Sequence, residues 1–253
     1  MLPLKQRRSF WIEKPQKACD LITEAGRKGA GLIVFPEAFI PTDPNWVWIV
    51  PSGKRALLNN LYTGLIDNAV SIPDDTTKKL CRVAKNAKIY VVMGVNERNI
   101  EASNASLYNT LLYIDALGNI IGKHRKLVPT GGERLVWAQG DGSTLNVYDT
   151  PFGKLGGLIC WENYMPLARN AMYSWGTQVY VAPTWDFGEP WLSSLRHIAK
   201  EGGMFVIGCS IAMHMNDIPD HYEFKKFYAP GKEWINPVTV VLSILRVNLL
   251  LVL

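Results

Sequence analysis

Four cysteines, Cys19, Cys81, Cys160 and Cys209, lie far apart with no Cys-x-x-Cys pairing. Neither a zinc site nor a dense disulfide framework is indicated by that spacing, so each thiol either packs or reacts. Cys160 has the context of a nucleophile. It closes the apolar run Leu155-Gly156-Gly157-Leu158-Ile159 and precedes Trp161-Glu162-Asn163 and a helix-like segment beginning near Met165. A thiol at a strand end that leads into a helix start meets substrate where backbone N–H groups face developing negative charge. The competing reading is a small buried filler, the common fate of an unpaired cysteine.

Only the thiolate attacks, and an isolated cysteine has a pKa near about 8.5, so a proton acceptor is required. Glu37 is a candidate. It follows the apolar run Gly31-Leu32-Ile33-Val34-Phe35 and Pro36, with Phe39 beyond it, and such half-enclosure desolvates a carboxyl and raises its pKa toward the range of a general base. A solvated loop acid is the alternative. Between these two strand ends lies His124-Arg125-Lys126, a basic run that is normally a solvated face. One lysine turned into a cleft would instead stabilise a thiolate and an anionic tetrahedral intermediate. Pro129, Gly131 and Gly132 ahead of Glu133 mark a shaped loop able to deliver a second acid.

Positioning these side chains requires strands that end near one another and helices that cover them. Residues 15–30 place Ala18, Leu21, Ile22 and Ala25 at helical spacing, with Gly26 and Gly29 at the end. Residues 74–87 open on an aspartate cap and align Leu80, Val83, Ala84 and Ala87. The runs over 31–35 and 89–95 are short and continuously apolar, the pattern of strands buried on both faces. Hairpins are predicted around 115–119 and around 150–154. Helix and strand then alternate over 165–175, 179–182, 191–201 and 204–208. The proline-rich segment 41–51 predicts an ordered loop that shelters both Trp46 and Trp48, since indole rings are costly to leave in water. Alternating helices and strands with inserted hairpins predict an α/β fold, a mixed sheet core covered by helices.

With 253 residues and 48% apolar content, the chain has material for a sizeable core, and nothing forces a second domain. The formal net charge of +5 is spread along the chain rather than clustered beside aromatic runs, which argues against a nucleic-acid surface. The N-terminal MLPLKQRRSFW is basic but lacks the apolar stretch and cleavage site of a secretory signal, so a cytoplasmic location is expected. Residues 238–253 are almost wholly apolar but include Ser243, Arg246 and Asn248. They fall short of the roughly 20 residues of a membrane span. No membrane anchor is expected there, and a buried strand or an exposed, aggregation-prone tail are the open readings.

Phe35-Pro36-Glu37, then His124-Arg125-Lys126-Leu127 with Pro129-Thr130 and Glu133-Arg134, then Cys160-Trp161-Glu162-Asn163-Tyr164-Met165-Pro166 together resemble the nitrilase superfamily over roughly residues 15–237. Ala182-Pro183-Thr184-Trp185-Asp186 and Arg169 resemble the true nitrilase branch rather than the amidase branches. The resemblance implies a single carbon–nitrogen hydrolase domain over 1–253, a four-layer αββα sandwich, a dimer-based homo-oligomer and a triad without metal or cofactor. Carried over, Glu37 is the general base, Lys126 the electrostatic stabiliser, Cys160 the nucleophile, and Glu133 the glutamate that orients the lysine and substrate. Trp161, Tyr164, Thr184 and Trp185 are expected to line the pocket, with aromatic core packing as the competing role. The expected reaction converts a small nitrile to a carboxylic acid and ammonia. Amide hydrolysis or cyanide conversion by the same residues, and an inactive truncated scaffold, are the alternatives.

Two stretches depart from the family pattern. Residues 1–11 have no counterpart of the family's first strand, so the first sheet is expected to lack one. Residues 238–253 form an atypical apolar tail after Glu233-Trp234-Ile235-Asn236-Pro237, which does resemble the family.

Overall fold

A computed structural model describes residues 9–101, 103–237 and 240–243. Helix α1 (Ser9–Arg27) begins earlier than the predicted residue 15 and contains Pro15. Ala18, Ile22 and Ala25, spaced four and three apart, are wholly buried on one face. Strand β1 (Leu32–Val34) follows. Helix α2 (Arg55–Asn68) occupies a stretch for which no element was predicted. It buries Leu61 and Leu65, and no side chain caps its start at Lys54. Helix α3 (Asp75–Ala87) has the expected cap. The Asp74 carboxylate accepts the Thr77 N–H at 2.7 Å, and the Thr77 hydroxyl accepts the Asp74 N–H at 2.7 Å, a reciprocal box in which the cap residue typically contributes about 1 kcal/mol.

Strands β2 (Tyr90–Asn99), β3 (Ser106–Ile114) and β4 (Ile120–Arg125) join β1 in a sheet of order β1-β2-β3-β4, with β1 parallel to β2 and the other pairs antiparallel. Strands β5 (Tyr148–Thr150) and β6 (Gly153–Gly157) form the second predicted hairpin. Helix α4 (Pro166–Ser174), β7 (Val179–Thr184), α5 (Glu189–Gly202) and β8 (Phe205–Ser210) come next. The pair β9 (Met213–His214) and β10 (Trp234–Asn236) stands apart, and β11 (Val240–Ser243) joins the second sheet. That sheet has the order β11-β8-β7-β6-β5, parallel across β6, β7 and β8 and antiparallel at both ends.

Strand periodicity builds the layers. Val91, Met93 and Val95 of β2 pack with Ala18 and Ile22 of α1 and Leu80 and Ala84 of α3. The intervening Val92 faces the opposite way, into a cluster with Leu111 and Tyr113 of β3 and Leu155, Val179, Val181 and Ile207 of the second sheet. On the far side, Tyr180, Ala182 and Val206 meet Ala168 and Met172 of α4 and Trp191, Leu195 and Ile198 of α5. Alternate residues of one strand thus face a helix layer and the partner sheet, and the layers run helix, sheet, sheet, helix, as the αββα expectation requires.

One expectation is revised and one open reading is narrowed. Trp46 is buried, but Trp48 is 54% exposed, its ring lying against Gly131 and Gly132. The loop shelters one indole and leaves the other partly in water. Within the apolar stretch 238–253, residues 240–243 form an edge strand paired with β8. Expectations for residues 1–8 and 244–253 fall outside the described residues. Among the described residues no helix is long and apolar enough to cross a membrane.

Beyond β1 the chain stays beside β2: Phe35 N–H donates to Val92 O at 2.8 Å, and Ile40 N–H donates to Gly94 O at 3.1 Å. The turn at Glu37 lies so close that a Cβ on Gly94 would overlap Pro36 O and press on Ala38 N. Gly94→Ala is therefore expected to destabilise the chain by about 1–3 kcal/mol through overpacking. Denaturant titration checks this, and an unshifted midpoint would show that the turn is not held against β2.

Candidate active site

The C-terminal ends of β1, β4, β6 and β7 carry the predicted chemistry, and the structure brings them together. Glu37 lies three residues past β1 and is 1% exposed, fully rather than half enclosed. Its Oε1 accepts from Lys126 Nζ at 2.7 Å and from Asn109 Nδ2 at 2.6 Å, and its Oε2 accepts the Trp185 N–H at 3.0 Å. Asn109 belongs to β3 and Trp185 follows β7, so both sheets hold this carboxylate.

The basic run at the end of β4 divides among four acids. Arg125 forms a two-pronged pair with Glu97 at 2.6 and 2.9 Å, and His124 Nε2 meets Glu162 at 3.0 Å. Lys126 is the member that reaches Glu37, and it also donates to Glu133 Oε2 at 2.8 Å. Its backbone N–H donates to Asn109 O at 2.8 Å, so Asn109 holds both ends of the pair. Glu133 sits in the 3-10 turn Gly131–Leu135, and its Oε2 accepts the Thr130 N–H at 2.7 Å as well. That turn is the shaped loop expected from the glycines.

The expectation that Cys160 closes a strand is corrected: β6 ends at Gly157, and Cys160 opens the 3-10 turn Cys160–Tyr164. Its φ of +49° is left-handed, a conformation that costs a non-glycine residue about 1–3 kcal/mol. Asn163 holds it there. Its Nδ2 donates to Cys160 O at 2.8 Å and Leu158 O at 3.1 Å, while its Oδ1 accepts from the Tyr180 hydroxyl at 2.7 Å. The buried thiol feels the charges of Glu37, Lys126 and Glu133 and, more weakly, the Thr184 side chain beside it.

Of the four expected pocket residues, Thr184 reaches the thiol and Trp185 reaches Glu37. Tyr164 packs edge-on between Trp161 and Trp191 and bonds Asp186 at 3.3 Å, while Trp161 is 50% exposed. Cys19 and Cys209 are buried and Cys81 is partly so; burial pushes the Cys209 thiol up to about 12, as a packed thiol requires. Asn109, Asp43 and Asn236 were not singled out from the sequence. Asn109 carried a signal, a polar residue inside the apolar alternation of β3, whereas Asp43 lies in a loop with no pattern around it.

The carbon–nitrogen hydrolase family model matches residues 13–225. The chain belongs to the carbon–nitrogen hydrolase family. Within it the chain falls in the nitrilase branch: it is 42% identical over 227 residues to a bifunctional nitrilase/nitrile hydratase, NIT4A, of Nicotiana tabacum, covering 89% of this chain and 63% of that protein. Nitrilase 2 of Arabidopsis thaliana is 43% identical over 221 residues, with 84% and 63% covered. The chain thus spans about 63% of the length of these curated relatives. The crystal structure of Saccharomyces cerevisiae Nit3, a nitrilase-superfamily member, superposes with a TM-score of 0.67 at 20% identity, over 91% of this chain and 76% of the other. That likeness shows the shared fold.

Two buried carboxyl groups, Glu37 and Glu133, bond the Lys126 ammonium, and a third, Asp43, feels the charges of all three. Burial alone draws the Lys126 ammonium down, but Glu37, Cys160 and Glu133 outweigh it and hold it well above its ordinary value. Burial, then the Glu37 charge, raises the Glu133 carboxyl. Burial, then Glu37 and Glu133, holds the Asp43 carboxyl well above its ordinary 3.8. Burial and Glu37 also push the Cys160 thiol up against the opposing pull of Lys126, so the resting thiol is protonated. Among the described residues no group of three or more His, Cys, Asp or Glu side chains is arranged to hold a metal ion.

Asp43 makes the charge balance testable. Its folded pKa exceeds its unfolded one, so the native state binds the proton more firmly. The stability it contributes is complete below the unfolded value of 3.8 and is lost as pH rises through the folded value. Asp43→Asn removes that loss. Its melting temperature relative to the parent is expected to rise from about pH 5 to about pH 8, and thermal scans showing a constant difference would contradict the assignment.

Proposed function

We propose that the chain hydrolyses a small nitrile to the carboxylic acid and ammonia, with Cys160 as nucleophile, Glu37 as general base, Lys126 as electrostatic stabiliser and Glu133 as the acid that orients the lysine. The observation that carries this reading is the Lys126 ammonium held 2.7 Å from Glu37 and 2.8 Å from Glu133, in a cluster whose charges reach the Cys160 thiol. A thiol raised by burial needs its proton removed as it attacks, and Glu37 is the carboxylate whose charge acts on it most strongly.

The scheme follows from these positions. As Cys160 Sγ bonds to the nitrile carbon, its proton passes to Glu37 and on to the nitrogen, giving a thioimidate. Lys126 and the backbone N–H of Trp161 meet the negative charge that develops on nitrogen. Water, deprotonated by Glu37, adds to the thioimidate carbon, and ammonia departs to leave a thioester. A second water hydrolyses the thioester, releasing the acid and returning the proton to sulfur. Trp161, Tyr164, Thr184 and Trp185 line the substrate side of the same reading, supported by the contacts of Thr184 with the thiol and of Trp185 with Glu37.

The rest of the reading is one hydrolase domain, a dimer-based homo-oligomer and a cytoplasmic location. Leu167, 86% exposed at the start of α4, and Trp175, 43% exposed just beyond its end, support a helix face that meets a second copy. A compartment that keeps thiols reduced suits an enzyme whose nucleophile is a free cysteine. The name of the tobacco relative favours a second product: if the adduct formed by the first water expels sulfur instead of ammonia, the amide is released.

Ammonia release from aliphatic, aromatic and arylacetic nitriles, from cyanide and from the matching amides tests the proposal. Cys160→Ala is expected to abolish turnover, and Glu37→Gln to lower kcat about 10²–10⁴-fold. Ammonia formation unchanged in Cys160→Ala would sink the nucleophile assignment. Turnover of amides alone would make the chain an amidase, and a folded chain inert to every substrate would make it a scaffold.

A further inference from the structure

Glu162 follows Cys160 by two residues and is wholly buried, and the reaction scheme gives it no part. Its Oε1 accepts the Leu127 N–H at 2.6 Å, and its Oε2 accepts the Ile159 N–H at 2.6 Å. His124 Nε2 lies 3.1 and 3.0 Å from the two oxygens. Leu127 is the residue after Lys126, and Ile159 is the residue before Cys160. One buried carboxylate therefore joins the segment that carries the ammonium, running off the first sheet, to the segment that carries the thiol, running off the second.

Both oxygens act as acceptors from backbone N–H groups, which fixes the chemistry the position requires. A carboxylate offers acceptors on both atoms, whereas an amide sets an N–H against one of the donors. Bonds from backbone N–H to an ionised acceptor are short and strong, and Ile159, wholly buried, has no solvent to turn to if the acceptor is lost. We propose that Glu162 is a positioning residue whose carboxylate sets the separation of the Lys126 ammonium and the Cys160 thiol. Lys126 is the cation that favours the thiolate, and its effect falls with distance. Loosening the bridge therefore weakens the nucleophile while leaving Thr184 and Trp185, at the end of β7, in place. The proposal rests on the reading of Cys160 as the nucleophile.

Glu162→Gln, Glu162→Asp and Cys160→Ala are compared with the parent chain by circular dichroism, by kcat and KM for phenylacetonitrile, and by iodoacetamide alkylation of the Cys160 peptide over a pH series. Glu162→Gln is expected to fold. Its alkylation should slow about tenfold near neutrality with the pH midpoint displaced upward, and its kcat should fall about 10²-fold with KM little changed, the signature of a misplaced reacting group. Glu162→Asp keeps both acceptors on a shorter arm and should recover part of the alkylation rate. A folded Glu162→Gln with the parent's alkylation profile overturns the proposal, and so does an Asp variant no better than Gln. If neither variant folds, hydrogen exchange on the parent chain decides. Leu127 and Ile159 amides that open together and slowly support the bridge; unprotected or independent exchange overturns it. Alkylation needs no nitrile, so the bridge stays readable in a chain that turns over none, while the nucleophile assignment stands or falls on Cys160→Ala.

Discussion

Lys126 Nζ lies 2.7 Å from Glu37 and 2.8 Å from Glu133, with its side chain wholly out of water, and such a cation is tolerable only while both carboxylates remain in place. Losing one partner of a buried pair costs about 3–5 kcal/mol, because a charge is left without compensation. The three side chains come from three separate stretches: the turn beyond β1, the residue after β4 and the 3-10 turn at residues 131–135. Burying one ammonium therefore forces three strand and loop ends to converge. Asn109 completes the constraint by bonding the Glu37 carboxylate and the Lys126 backbone at once. The ion cluster and the first sheet are in this sense one structure, since neither keeps its geometry without the other.

The two sheets meet the site under different kinds of load. The first sheet supplies charge, and the second supplies a strained turn. Ala38, beside Glu37, and Cys160 both have left-handed φ values, 48° and 49°. Conformations of this kind persist only where their surroundings over-determine them. At Ala38 the close fit against Gly94 does this. At Cys160 the bonds from Asn163, itself tied to Tyr180 and to Arg169 Nη1, do the same. A thiol so placed is 8% exposed and protonated at rest. On the proposed reading, such a thiol attacks only when a base and a cation act on it together.

Much of this was legible in the sequence because apolar periodicity reports burial directly. The runs before Glu37 and Cys160 read as strands for the reason they are strands: side chains face a helix layer on one side and the partner sheet on the other. The identities of Glu37, Lys126, Glu133 and Cys160 needed the family resemblance, because three adjacent basic residues look alike until a fold sends Arg125 to Glu97 and Lys126 to Glu37. Helix α2 escaped notice because no side-chain cap announces it at Lys54. Trp48 was misjudged because transfer cost sets an average, whereas its loop turns Trp46 inward and leaves Trp48 to cover Gly131. Asn109 and Asp43 matter through partners distant in sequence, and no local pattern encodes such partners.

Asn236 shows how far along the chain the site extends. Its Nδ2 donates to Trp185 O at 2.7 Å, and Trp185 N–H donates in turn to Glu37 Oε2 at 3.0 Å. The peptide unit on each side of Trp185 is thus engaged, one by the carboxylate and one by β10, the strand that contains Asn236. The Asn236 amide and the Thr184 hydroxyl, which accepts the Asp186 N–H at 2.8 Å, together hold the peptide that follows Trp185. A residue 199 positions beyond Glu37 in sequence thereby helps fix the orientation of the carboxylate. The family model ends at residue 225, yet the hydrogen-bond chain that reaches the Glu37 carboxylate continues to residue 236, inside the Glu233–Pro237 segment that resembles the family.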